Sequence, residues 1–174
     1  MKKTVLISIW LLLVSPVSLL FAQEINWLKI QDLEAAQKQE PKKVLIDIYT
    51  DWCGWCKRLD ATTFKDPKIV DYLNKNYYCV KLDGEDKNTI IYRGVEFKFV
   101  PTGRRGYHQL SSGFQKGRHS YPTLTVLDEN LDILQIFRGY QKAEDLLPIL
   151  VYLSDDLYKK QDWDSFLTEF KNSN

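Results

Sequence analysis

Cys53 and Cys56 are separated by Gly54 and Trp55, a spacing that brings two thiols within bonding reach on the first turn of a helix. That arrangement suits thiol–disulfide exchange. The first sulfur is expected to point outward at the helix N-terminus, where free N–H groups and the helix dipole stabilise a thiolate. The second, one turn deeper, can attack the mixed disulfide that the first has formed. The chain has three cysteines, and Cys79 is left over. A structural staple of so short a loop would add little stability. A zinc site would need two further ligands from Cys79, His108 and His119, none of which comes as a second closely spaced pair.

Several elements must hold this pair. Val44 to Tyr49 is a short, mostly apolar run that predicts a buried strand ending just before Asp51-Trp52-Cys53. Upstream, Trp27 to Gln39 reads as an amphipathic helix, ended by Pro41 and the lysines Lys42 and Lys43. Downstream, Asp66-Pro67 is a helix start, Asp as N-cap and Pro at the first helical position, with Ile69, Val70 and Leu73 on one side. A strand is predicted over Tyr77 to Leu82, and Ile90 to Val100 reads as a hairpin around Arg93-Gly94. Next come a helix from about Gly106 to Gln115, a strand at Leu124 to Leu127, a turn, and a return at Ile133 to Phe137. Ala143 to Leu153 predicts a helix bent by Pro148, and Trp163, Phe166, Leu167 and Phe170 share one face of another. The order is an α/β pattern with a hairpin near its end.

At 174 residues, with 13% aromatic and 27% charged residues, the chain has the composition of one folded domain. Residues 1–22 read as a signal peptide: Lys2 and Lys3, an apolar stretch from Val5 to Phe21, then Ala22. An uncleaved anchor is the alternative, and either way the bulk of the chain is expected outside the cytosol. Beyond residue 22 there are 22 basic against 23 acidic residues, and Arg104-Arg105 is the densest arginine spot. That balance excludes nucleic acid as a partner class.

The run Val44-Leu45-Ile46-Asp47-Ile48-Tyr49-Thr50-Asp51-Trp52-Cys53-Gly54-Trp55-Cys56-Lys57 resembles the active-site strand and helix start of thioredoxins. Val80-Lys81-Leu82-Asp83 resembles the family's second strand, Tyr121-Pro122-Thr123 its cis-proline loop, and Gly139 the glycine after the last hairpin. The likeness spans roughly Ile25 to Leu153. It implies a central mixed sheet flanked by helices, over residues 23–154, with a hairpin insertion at about 86–103. Residues 155–174 would be an extra C-terminal helix.

By the same resemblance, Cys53 is the nucleophile and Cys56 the resolving thiol of a redox disulfide. Asp47 lies buried beneath Cys56 and moves its proton, and Lys81 tunes that carboxylate. Trp52, Trp55, Tyr121 and Pro122 meet the substrate, with Pro122 cis. No cofactor or metal is implied. The expected activity is protein-disulfide exchange, reduction preferred, in the periplasm or a secreted setting. Partners would be disulfide-containing exported proteins and a membrane electron donor. A disulfide-forming oxidant or isomerase of the same fold, and a chaperone-like binding module, are the alternatives. Trp55 departs from the proline that thioredoxins carry there and leaves the direction of electron flow open. Cys79, between Tyr78 and Val80, is expected to be buried and inert.

Overall fold

The computed structural model describes residues 23–173. The signal-peptide expectation for residues 1–22 falls outside them.

Strand β2 (Lys43–Tyr49) is the centre of the fold, and six of its seven residues are buried. A strand covered on both sides must be apolar on both, which is why this segment reads as a continuous run. Beside it lies β3 (Tyr77–Asp83), parallel, with Asp47 opposite Lys81. On its other side lies β8 (Thr123–Leu127), antiparallel, itself paired with β9 (Ile133–Arg138). The outer edge is β1 (Trp27–Leu28), parallel to β3, giving a five-stranded mixed sheet in the order β1-β3-β2-β8-β9. Here the structure corrects the expected helix over Trp27 to Gln39. Its first residues pair with the sheet, a 3-10 turn covers Ile30–Asp32, and only Leu33–Gln39 (α1) is α-helical.

Side chains alternate across a strand, so β2 feeds two cores. Leu45, Cys79, Leu124 and Val126 pack under α2 (Gly54–Ala61), α3 (Pro67–Asn76) and α5 (Ala143–Ser154) through Leu59, Ile69, Leu73, Leu146 and Leu150. Val44, Ile46, Ile48 and Val80 face the opposite core, closed by Leu33 of α1 and by Leu110 and Phe114 of α4 (Gln109–Phe114). Lys43 and Asp47 share the phase of Leu45, which puts both on the α2–α5 side. Asp66 caps α3 as expected, accepting from the N–H groups of Lys68 and Ile69.

Two hairpins, not one, fill the stretch between β3 and α4. β4 (Ile90–Tyr92) and β5 (Val95–Phe97) form the expected one, which adds Ile90 and Tyr92 to the second core. β6 (Phe99–Thr102) and β7 (Arg105–His108) form another, so the helix expected from Gly106 begins only at Gln109. At the C-terminus α6 (Trp163–Ser173) buries Phe166 and packs Trp163 and Phe166 on Tyr152, docking its aromatic face on the same domain. No helix among the described residues is long and apolar enough to cross a membrane.

Candidate active site

The chain leaves β2 through a tight turn, with Cys53 N–H donating to Thr50 C=O at 3.0 Å. Cys53 is then the N-cap residue of α2, its carbonyl accepting the first helical bond from Lys57 N–H at 3.2 Å. Cys53 and Cys56 are joined as a disulfide, and the Cys53 sulfur also accepts from Cys56 N–H at 3.0 Å. A sulfur in that place takes up one of the donors that a helix start leaves without an internal partner, so a negative charge is favoured on Cys53 when the bond opens. The expectation of an outward-projecting Cys53 needs correction: it is 4% exposed and Cys56 3%. The exposed groups are their neighbours in sequence, Trp52 and Trp55, at 50% and 56%.

Tyr121-Pro122 is a cis peptide, as the resemblance implies, and precedes β8 directly. Gly139 N–H donates to Pro122 C=O at 2.8 Å, fixing the loop to the end of β9. The Trp52 ring meets Tyr121 edge-on, with centroids 5.7 Å apart, so the cysteine turn and the proline loop share one surface. Tyr121 packs where only glycine fits: a Cβ on Gly84 would lie 2.4 Å from its ring.

Beneath α2, Asp47 is 1% exposed. One of its carboxylate oxygens has no hydrogen-bond partner among the described residues, and the other faces Lys81 Nζ at 3.2 Å. Burial raises its pKa to about 6 against the pull of Lys81, and the negative charge of Asp60 adds to the rise. Lys81 is a shared cation. It also pairs with Asp60 of α2 at 2.5 Å and lies over the rings of Trp27 and Tyr49. Cys79 is 1% exposed on the same face, and burial, then the charge of Asp47, pushes its thiol far up, out of the range where it reacts.

The structure thus gathers Cys53, Cys56, Trp52, Trp55, Tyr121 and Pro122 around one surface, with Asp47 and Lys81 behind it. Sequence reasoning did not single out Asp60. Its only signal was a position four residues after Cys56, one helical turn on. The same reasoning named Arg105 only within the densest arginine spot, and placed neither Arg105 nor Arg58 on a tryptophan. Arg105 of β7 lies 3.9 Å over the Trp52 ring, and Arg58 lies over Trp55 and Tyr140 at 5.3 and 5.5 Å. The histidines are engaged elsewhere: His108 is buried at the α4 N-cap, and His119 stacks on Tyr107 and bonds Ser112.

Comparison with known proteins agrees with this geometry. A thiol:disulfide interchange protein, DsbD, of Pectobacterium atrosepticum is 39% identical over 106 residues, which is 50% of this chain and 18% of that protein. The chain therefore corresponds to less than a fifth of the length of that relative. Among solved structures, a candidate disulphide-isomerase from Bacteroides thetaiotaomicron aligns over 82% of this chain and 99% of its own, with 25% identity and a TM-score of 0.55. A thioredoxin-fold protein from Helicobacter pylori shares the fold at 15% identity and a TM-score of 0.55, over 76% of this chain and 81% of its own. The family model described as a thioredoxin-like domain matches residues 30–154, from the turn before α1 to the end of α5. With that match across most of its length and the cysteine pair at the head of α2, the chain belongs to the thioredoxin-like domain family.

Proposed function

We propose that this protein is a protein-disulfide reductase of an exported compartment, cycling Cys53 and Cys56 between dithiol and disulfide. The observation that carries the reading is the pair's placement: a disulfide at a helix N-terminus, sharing a surface with a cis-proline loop, with a buried carboxylate linked through Lys81 to Asp60 of the same helix. In the forward step the Cys53 thiolate attacks a substrate disulfide, forming one S–S bond and releasing the first substrate thiolate. Cys56 then attacks Cys53, releasing the second substrate thiolate and closing the Cys53–Cys56 bond, while the Cys56 proton passes to Asp47. A carboxylate with a pKa of about 6 is a usable acceptor near neutral pH.

Reduction is favoured over oxidation because no histidine lies between the thiols to hold the Cys53 thiolate, and a buried negative charge at Asp47 disfavours a second anion nearby. We expect a reduction potential more negative than about −200 mV, nearer the ~−270 mV of thioredoxin than the ~−120 mV of a strong periplasmic oxidant. Such a reductant in an oxidising compartment needs a donor to recharge it, and a membrane electron donor fits that need. The Pectobacterium relative, itself a thiol:disulfide interchange protein, supports the exchange chemistry.

Reduction of insulin disulfides is the direct test. The protein should turn insulin over with a thiol donor, and Cys53→Ser should abolish turnover. Binding of unfolded chains that survives Cys53→Ser, with no reduction by the parent, would instead mark a chaperone-like module. Equilibration with glutathione giving a potential near the oxidant's would reverse the direction.

A further inference from the structure

The second hairpin is fastened to the active site at two points. From the backbone side, His108 N–H at the end of β7 donates to Gly84 C=O at 2.7 Å, and Gly84 N–H donates to Tyr49 C=O at the end of β2 at 2.7 Å. The Tyr121 ring closes over Gly84 and meets Trp52. From the side-chain side, Arg105 lies 3.9 Å over the centre of that same Trp52 ring. The circuit of hairpin, Gly84, Tyr121, Trp52 and Arg105 fixes where this guanidinium sits. On the opposite flank, Arg58 of α2 is held between Trp55 and Tyr140, whose hydroxyl is anchored 2.9 Å from Thr62.

Both arginines are exposed, and neither forms an ion pair with any described carboxylate. Burial raises the pKa of Asp83, and the charges of Asp51, Asp86 and Glu85 raise it further, so these acids crowd one another. A guanidinium has five N–H donors, so one held over an aromatic ring still has donors to offer a carboxylate. Because the ring has already restricted the side chain, less freedom is lost when a carboxylate arrives.

We propose that Arg105 and Arg58 are specificity residues that select protein disulfides whose cysteine is flanked by Asp or Glu in an extended segment, the carboxylates docking on the two guanidiniums. This rests on the exchange reading above. An extended segment is favoured over an anionic bilayer because the disulfide itself is recessed, both cysteines being under 5% exposed, so the reacting partner must reach in past the tryptophans.

The test uses three synthetic peptides, each with one cysteine in mixed disulfide with a neutral reporter thiol and flanked by Glu, Gln or Lys. The reduced full chain is mixed with each at low and high salt, and the exchange rate is read from reporter release. At low salt the Glu peptide should react about ten-fold faster than the Lys peptide, each arginine contributing about two- to five-fold, the worth of an exposed ion pair. Added salt should compress the ratio. Arg105→Gln and Arg58→Gln should each cut it, and together bring it to about two-fold, the remainder belonging to Lys57 and the helix terminus. Lys68→Gln on α3, the same change in charge away from the site, should keep the full ratio. Equal rates with all three peptides would overturn this proposal and leave the exchange function standing. So would a Glu preference untouched by the arginine variants, or loss of the preference alongside arginine-dependent binding to phosphatidylglycerol vesicles. No reaction with any peptide would sink both readings.

Discussion

Lys43 and Asp47 stand on the same face of β2, separated by Leu45, and each is the buried member of a group of one lysine and two carboxylates. At the start of the strand the cation is the buried one. Lys43 is 2% exposed, and Glu129 and Asp156 come to it at 2.7 and 2.9 Å from half-exposed positions. Burial disfavours its charge, but the hydrogen bonds and charges of both acids more than offset that, so its pKa is raised. Asp156, bonded by Lys43, is driven down to about 2. Four residues on, the carboxylate is the buried one, and its lysine is divided between Asp47 and Asp60. There the pKa of Asp47 goes up to about 6. The same three charges make a strut when two anions surround a buried cation, and a proton acceptor when one cation is shared away from a buried anion.

Breaking the strut should give the largest effect. Glu129→Gln with Asp156→Asn leaves the Lys43 charge buried without a carboxylate, and unfolding in urea at neutral pH should show a loss of about 3–5 kcal/mol. Lys43→Met should cost far less, since apolar replacement of a buried charge of similar size is often near neutral. The sign for pH follows from Asp156: its contribution is present above the ordinary carboxylate value and is lost as pH falls through about 2. A double variant as stable as its parent would show that Lys43 finds water or another partner.

This comparison also separates what the sequence makes legible from what it hides. The apolar run of β2, the thiol spacing, the Asp66-Pro67 start and Tyr121-Pro122 are local signals, and the central strand, α2, α3 and the cysteine surface follow from them. Lys43 read as a polar end to a helix because its partners lie 86 and 113 residues away. Asp60 was silent for the same reason: its meaning depends on Lys81, 21 residues on. The β7 strand was hidden by a competing period. Tyr107, Leu110 and Phe114 recur at helical spacing, while the close pairing that defines the hairpin depends on Gly106, where a Cβ would lie 2.3 Å from Val100 C=O. With β7 misread, Arg105 could not be placed on Trp52.

Asp47→Asn sharpens the other half. In the unfolded chain Asp47 releases its proton near 3.8, whereas the folded protein holds it to about 6. Between those values the folded state binds more protons, so stability is full below about 4 and falls as pH rises through 6. The shift corresponds to about 3 kcal/mol. Lys81 stays cationic throughout that window, so its lost partner adds only a constant. The stability of Asp47→Asn relative to the parent should therefore climb by about 3 kcal/mol between pH 3 and pH 8, read from thermal or urea unfolding at each pH. In the reduced protein the same variant should accumulate mixed disulfides, because Cys56 loses its proton acceptor. A flat difference across that range would mean that Asp47 ionises in place at no cost.

The smallest effect is the most specific to the shared lysine. Asp60→Asn removes a negative charge that raises the Asp47 pKa and releases Lys81 to face Asp47 alone, and both changes favour the carboxylate. The Asp47 midpoint should move to lower pH by less than one unit, because the lost Lys81–Asp60 pair is partly exposed and worth about 0.2–1 kcal/mol. The pH-dependent fall in stability should shrink with it, while Asp60→Glu, which keeps the charge, should restore the parent midpoint. Carbon-13 NMR of the Asp47 carboxyl reads the midpoint directly, without relying on activity. A midpoint that stays put or moves upward in Asp60→Asn would show that Lys81 is not divided between the two acids. Asp47 would then owe its raised pKa to burial alone, and the contrast with Lys43 would reduce to the sign of the buried charge.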